Sequence, residues 1–160
     1  MEQLFNKRIF KMNSIKRTSS DDSDFLNLVV LLDKELKKRD GDDHTFFAQF
    51  NKLDKIKNVV VNYEEDIPVG CGAFKEYDKK TAEIKRMFVK PQFRKKGIAV
   101  KILNELESWA KELNFSECIL ETGKKQPEAI RLYQKSGYTL ITNYGQYVTV
   151  ENSVCMKKSI

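Results

Sequence analysis

The segment from Glu83 to Ala99, EIKRMFVKPQFRKKGIA, decides the fold of this chain. It starts as an apolar segment typical of a β-strand, reaches Pro91, and passes through a basic turn containing Gly97 into an amphipathic helix. The first N–H groups of a helix have no partner within the helix, and the helix dipole is positive at that end. A strand, a glycine turn and a helix start in this order therefore predict an anion-binding site.

Positive charge is concentrated in the same segment. The 160-residue chain has a formal net charge of +6, and its densest run of basic residues contains no acid: Lys85, Arg86, Lys90, Arg94, Lys95, Lys96 and Lys101. Such an excess raises nucleic acid as a partner. However, the excess is confined to one turn, and we find neither a zinc-finger pattern nor a platform of interleaved aromatic and basic residues. We therefore expect a phosphate-bearing small ligand and no nucleic acid.

Composition indicates a globular protein with 41% hydrophobic and 32% charged residues. No run of about 18 apolar residues exists, and the first residues lack the apolar region of a signal peptide, so we expect a cytoplasmic protein without a membrane span. Cys71, Cys118 and Cys155 are odd in number and far apart, in a chain with one histidine. We expect them to be reduced and buried, and we expect no metal site.

The order of elements predicts a mixed α/β domain over residues 12–160, preceded by an extension at residues 1–11. That extension could be an ordered arm, a disordered lead or the product of an upstream start. Six or seven strands and about four helices are expected. The strands are 58–63, 69–77, 81–89, 116–122, 138–141 and 150–158, with a short one near residue 12. The helices begin near residues 22, 45, 98 and 127.

The strand before Pro91 changes phase along its length. Ala82, Ile84 and Phe88 would share one face, but Arg86 interrupts them. A β-bulge produces such a change in alternation, so we predict one in this strand. The preceding strand contains Gly70 and Gly72, which indicate a bulge or a close approach of the backbone.

Two phosphate-binding fingerprints are absent: G-x-x-x-x-G-K-[ST] and G-x-G-x-x-G. What remains is R-x-x-G-x-A, formed by Arg94, Gly97 and Ala99. Some thirty residues later the chain reads QPEAIRLYQKSGY, from Gln126 to Tyr138. Together, in this order, the two motifs resemble the Gcn5-related N-acetyltransferase (GNAT) family, which has Q/R-x-x-G-x-G/A and then N-x-x-A-x-x-L-Y-x-x-x-G-F/Y. Gln126 stands where the family usually has Asn.

The resemblance implies a mostly antiparallel central sheet, splayed between its fourth and fifth strands, and acetyl-CoA as co-substrate. The pyrophosphate would lie on the backbone amides of residues 94–99, and the pantetheine arm would pair with the backbone of residues 87–89. The implied cofactor-binding residues are Met87, Phe88, Val89, Arg94, Lys95, Lys96, Gly97, Ile98, Ala99, Gln126, Ala129 and Tyr133.

The resemblance also assigns the catalytic residues. Tyr133 matches the family tyrosine that protonates the departing thiolate or stabilises its charge. Glu83 lies fourteen residues before Gly97, at the offset of the general base in the histone-modifying branch. A solvent-facing Glu83, His44 as the base, and a chain of water molecules remain alternatives.

The expected activity is acetyl transfer from acetyl-CoA to a primary amine by direct attack in a ternary complex. A small-molecule acceptor is favoured over a protein lysine or N-terminus, and a non-catalytic acyl-CoA-binding module is the other alternative. Asp40, Asp42 and Asp43 would favour a cationic acceptor, although a solvated loop is the simpler interpretation. The sequence leaves a homodimer open.

Overall fold

A computed structural model of the chain describes residues 12–41 and 56–160. The strands are β1 (Asn13–Thr18), β2 (Asn58–Glu64), β3 (Ile67–Asp78), β4 (Thr81–Val89), β5 (Glu117–Gly123), β6 (Thr139–Ile141) and β7 (Ser153–Ser159). The helices are α1 (Ser23–Asp40), α2 (Ile98–Glu112) and α3 (Pro127–Lys135), with short 3₁₀ helices at Pro91–Phe93 and Gly145–Tyr147. The predicted extension at 1–11 and helix near residue 45 lie outside the described residues.

One sheet contains all seven strands in the order β1-β2-β3-β4-β5-β7-β6. Every neighbouring pair is antiparallel except β4 and β5, which are parallel. That parallel ladder covers only Thr81–Glu83 opposite Glu117–Ile119, and beyond it the two strands no longer pair. The predicted mixed sheet, splayed between its fourth and fifth strands, is confirmed.

Two apolar clusters cover the sheet. Residues of α1 pack with β2 and β3 in one cluster, and α2 packs with β3, β4 and β5 in the other. The Asp22 side chain caps α1 by accepting hydrogen bonds from the N–H groups of Asp24 and Phe25, as the run of N-cap candidates predicts. Helix α2 buries a stripe at the three- and four-residue spacing of one helix face: Ile98, Ile102, Leu103, Leu106 and Ala110.

The predicted bulge is present in β4. Cys71 pairs with Phe88 and Ala73 pairs with Lys85, so Gly72 opposes both Arg86 and Met87. Arg86 adopts a left-handed conformation with φ of +59°. Because the bulge reverses the alternation, Phe88 packs in the α1 cluster and Val89 in the α2 cluster. Phe88 therefore does not share a face with Ala82 and Ile84, as the predicted change of phase requires.

The remaining sequence predictions differ from the structure at element ends. The last strand begins at Ser153, since residues 150–152 form a turn, and β3 extends from Ile67 to Asp78. Cys71, Cys118 and Cys155 are free thiols and buried, as predicted. Within residues 12–41 and 56–160, no helix is both long and apolar enough to cross a membrane.

Gly72 allows α2 to pack against the bulge, and this packing can be tested. A Cβ atom there would lie 2.5 Å from Met87 Sδ and 2.8 Å from Ile102 Cγ2. We expect Gly72→Ala to lower the free energy of unfolding by about 1–3 kcal/mol and the melting temperature by about 2–4 °C per kcal/mol. Gly123→Ala is the control, because its Cβ would meet no heavy atom within 3.6 Å. Equal melting temperatures for the two variants would contradict this account.

Candidate active site

The separation of β4 and β5 opens two adjoining cavities. The long groove, of about 370 Å³, runs from the start of α2 along the end of β4 to α3. The inner cavity, of about 120 Å³, lies between the diverging parts of β4 and β5, with α1 and α3 at its sides. Both cavities share Tyr133, Ala129 and Met87 in their linings. The two spaces therefore meet beside the side chain of Tyr133.

The start of α2 forms one end of the long groove. Gly97 is its N-cap residue, with φ of +79°, and a Cβ atom there would meet nothing within 4 Å. No side chain caps this helix start and its first turn contains no acid. A glycine permits this left-handed turn without strain and leaves the space over the amides open. The helix start therefore offers backbone donors and a positive dipole end to a bound anion.

Every predicted cofactor-binding residue except Lys96 lines the long groove: Met87, Phe88, Val89, Arg94, Lys95, Gly97, Ile98, Ala99, Gln126, Ala129 and Tyr133. The Lys96 ammonium instead lies 5.4 Å from the centre of the Phe93 ring. Gln126 makes no side-chain cap bond to α3, as expected for a glutamine at an N-cap. The structure thus brings together eleven of these twelve residues.

Ion pairs connect the walls of the long groove. Arg94 donates to the Val89 carbonyl at 2.8 Å and pairs with Glu35 of α1, also at 2.8 Å. Glu35 pairs in turn with Arg39 at 3.2 Å, and Arg39 pairs with Glu128 of α3 at 3.0 Å. These contacts fix α1 against both the basic turn and α3, so the Arg94 side chain helps to shape the groove.

Tyr133 is buried at the junction of the two cavities. Burial, with a smaller contribution from the Glu121 carboxylate, raises the pKa of its phenol above the ordinary value. Its ring packs edge-on against Tyr138, with centroids 5.8 Å apart. The phenol therefore stays protonated over the physiological pH range and is a hydrogen-bond donor in either cavity.

Glu83 lies in the paired part of β4 and lines neither cavity. Its carboxylate is buried, accepts a hydrogen bond from the Tyr144 phenol at 2.6 Å, and lies 3.7 Å from the Lys75 ammonium. The structure does not bring Glu83 together with Tyr133 in a shared cavity lining. Its role as a base stays a prediction.

Glu121 is the carboxylate that sequence reasoning missed. It lies on β5, lines the inner cavity together with Tyr133, and accepts a hydrogen bond from the Ser153 hydroxyl at 2.9 Å. Burial raises the pKa of Glu121 to about 7, although Ser153 and Lys85 act in the opposite direction. An acid directly after the apolar run Cys118–Leu120 of β5 was the signal that could have revealed it.

Basic residues of the segment from Lys85 to Lys101 line both cavities. Lys85 and Arg86 line the inner cavity, whereas Arg94 and Lys95 line the long groove. An acid shares the inner cavity with them, since the buried Asp40 also contributes to its lining.

Other candidates fall outside what the structure describes. Asp42, Asp43 and His44 are in this group, so the acidic loop and the alternative base stay predictions. In the two described ranges, no group of three or more histidine, cysteine, aspartate or glutamate residues is arranged to hold a metal ion.

Comparison with known proteins agrees with this architecture. The model of the acetyltransferase (GNAT) family matches residues 24–138. An IAA acetyltransferase from Azospirillum brasilense is 31% identical over 150 residues, which cover 89% of this chain and 97% of the relative. The chain therefore belongs to the GNAT family of acetyltransferases, which confirms the resemblance carried by the two motifs.

Solved structures share the fold. A Klebsiella pneumoniae protein inferred to be an acyl-CoA N-acyltransferase has a TM-score of 0.77 and 28% identity, covering 92% of this chain and 97% of the other. A GNAT family acetyltransferase from Elizabethkingia anophelis, solved with acetyl-CoA bound, has a TM-score of 0.68 and 17% identity, with coverage of 92% and 98%.

Proposed function

We propose that this protein transfers the acetyl group of acetyl-CoA to a primary amine of a small molecule, by direct attack in a ternary complex. The observation that carries the proposal is the meeting of two cavities at Tyr133, one leading to an uncapped helix start and one containing Glu121. A diphosphate at the helix start would direct its attached arm along the end of β4 towards Tyr133. An amine in the inner cavity would approach from the opposite side.

In this mechanism Glu121 accepts the proton that an ammonium group must lose before it attacks. A carboxyl group whose pKa is about 7 is a stronger base than an ordinary glutamate, and it is about half ionised at neutral pH and largely ionised above it. The amine nitrogen then forms a bond to the thioester carbon, and the carbon–sulfur bond breaks. Glu83 is retained as a second candidate base. Glu121 is favoured over it because Glu83 lines neither cavity.

Tyr133 acts on the departing sulfur. A thiol has an ordinary pKa of about 8.5 and a phenol about 10, and burial raises the pKa of Tyr133 further. Because the phenol is the weaker acid, hydrogen-bond donation to the developing thiolate is favoured over complete proton transfer before the bond breaks.

The size of the inner cavity supports a small acceptor. A cavity of about 150 Å³ holds one benzene molecule, and the inner cavity measures about 120 Å³. A protein lysine or N-terminus, and a non-catalytic acyl-CoA-binding module, are the alternatives. Release of free coenzyme A, measured with a thiol reagent against amino acids, polyamines, aminoglycosides and lysine peptides, tests the proposal. If none of these amines causes release of coenzyme A, although acetyl-CoA binds tightly, the non-catalytic binding module is favoured.

A first prediction concerns the helix start. Asparagine tolerates a left-handed backbone, so Gly97→Asn should fold but project a side chain over the amides that would hold the diphosphate. We expect its affinity for coenzyme A, measured by calorimetry, to fall at least about tenfold. Gly145→Asn is the matched control, because Gly145 also has a positive φ, of +52°, and lines neither cavity. If Gly97→Asn binds coenzyme A with the affinity of the wild type, the helix start is not the diphosphate site.

A second prediction concerns Tyr133. We expect Tyr133→Phe to lower kcat by about 10²–10³-fold, because a donor to a developing charge is lost, while coenzyme A affinity changes little. The measurements are steady-state kinetics and calorimetry on the same preparations. A kcat equal to that of the wild type would exclude the role in thiolate stabilisation.

A third prediction separates the two carboxylates. Glu121 must be ionised to accept a proton. The pH profile of kcat/KM should therefore have an acid limb, on which kcat/KM rises with pH and levels off above about pH 7. Glu121→Gln should lower kcat/KM and abolish this limb, whereas Glu83→Gln should retain it. If the limb disappears only in Glu83→Gln, then Glu83 is the base.

A further inference from the structure

The inner cavity contains two cations that the transfer step does not use. Lys85 and Arg86 are consecutive, and consecutive side chains of a regular strand point to opposite faces of the sheet. The bulge in β4 falls at Arg86, and both residues line the same cavity. Two basic residues therefore border the proposed acceptor site.

Arg86 is buried with incomplete hydrogen bonding. Only 2% of its side chain is exposed, and its Nη2 pairs with Asp33 of α1. Its Nε has no partner, and it is the one buried side-chain nitrogen or oxygen in this condition within residues 12–41 and 56–160. Buried donors normally form hydrogen bonds, because a buried donor without an acceptor has lost its bond to water and gained none in exchange. A guanidinium with unused donors in a cavity lining is suited to a planar anion.

Lys85 is held by a neutral partner. Its ammonium lies 3.3 Å from the Tyr147 phenol oxygen. Burial lowers the pKa of Lys85, and the nearby carboxylates of Glu83 and Glu121 partly oppose that shift. An anion bound beside this ammonium would favour its charged form further.

Acids lie in the same small space. Asp40 and Glu121 line the inner cavity with Lys85 and Arg86, so charges of both signs surround about 120 Å³. The complement of this arrangement is a molecule with an amine and an anionic group a few bonds apart. A polyamine would instead bring a second positive charge towards Lys85 and Arg86, which is unfavourable in a cavity of low dielectric constant.

We propose that the acceptor is a small amino acid, whose carboxylate binds Lys85 and Arg86 while its amine faces Glu121. The proposal rests on acetyl transfer as the function of this site. In the reaction Glu121 takes one proton from the ammonium, the amine nitrogen bonds to the acetyl carbon, and the carbon–sulfur bond breaks. The second proton that the nitrogen loses passes to the departing sulfur, so that coenzyme A leaves as the thiol. The carboxylate is unchanged and serves only to hold and orient the acceptor.

Matched acceptors test the proposal directly. Glycine, alanine and β-alanine are compared with the corresponding amides and with polyamines, by following release of coenzyme A. We expect kcat/KM for the amino acids to exceed that for the amides at least about 100-fold, because an amide has no negative charge to offer the Lys85 ammonium and the Arg86 guanidinium. Equal values, or a preference for amides or polyamines, would overturn it.

A variant then assigns the preference to the cation pair. Lys85→Met keeps the length of the side chain and removes its charge, and Lys80→Met makes the same change in the exposed turn before β4. At pH 8, where Glu121 is mostly ionised, Lys85→Met should reduce the amino acid-to-amide ratio of kcat/KM at least about tenfold. Lys80→Met should keep the wild-type ratio. An unchanged ratio in Lys85→Met would refute the assignment.

A binding measurement separates this inference from the function on which it rests. Calorimetry compares N-acetylglycine with N-acetylglycinamide in the presence of coenzyme A, without turnover. Tighter binding of the acid, lost in Lys85→Met, supports carboxylate recognition even if no amine releases coenzyme A, in which case the proposed function alone fails. Equal binding of acid and amide, or binding of neither at millimolar concentrations, refutes carboxylate recognition even if acetyl transfer to another amine is observed.

Discussion

The bulge in β4 is the constraint on which the rest of the structure depends. Gly72 opposes both Arg86 and Met87, and the absence of a Cβ atom allows α2 to pack directly over the irregularity. Beyond Glu83 the strand no longer pairs with β5, so one edge of its backbone is left beside the long groove. A bulged strand is bent and more strongly twisted than a regular one. The bulge follows directly after the end of the ladder with β5, and the gap in the sheet lies beside this irregular part of β4.

The basic residues at and after the bulge are divided between the two cavities. A strand that alternated regularly would direct Lys85 and Arg86 to opposite faces, and the alternation changes at Arg86. Both residues line the inner cavity. The turn after Pro91 then leads Arg94 and Lys95 to the long groove. Two electrostatically different spaces are thus built from one basic segment: an open helix start suited to phosphates, and a small cavity in which cations and acids face each other.

Local patterns in the sequence predicted most of the fold. The structure agrees with four patterns that depend on neighbours within a few residues. They are the alternation in 81–89, its interruption at Arg86, Pro127 at the start of α3 and Gly97 before the start of α2. Eleven of the twelve predicted cofactor residues line one groove, because the fold implied by the two motifs brings residues 87–99 and 126–133 together. The exception, Lys96, lies in the motif, but its ammonium lies over a ring beside it.

The chemistry of the inner cavity depends on contacts between distant residues, and for this reason the sequence could not supply it. Glu121 and Ser153 are 32 residues apart and meet only because β5 pairs with β7. Glu83, selected by its spacing from Gly97, is instead engaged by Tyr144, 61 residues away. Spacing along a chain fixes which face of a strand a carboxylate occupies, but its hydrogen-bond partners come from segments that are distant in sequence. Two glutamates on adjacent strands can therefore be compared only in the assembled sheet.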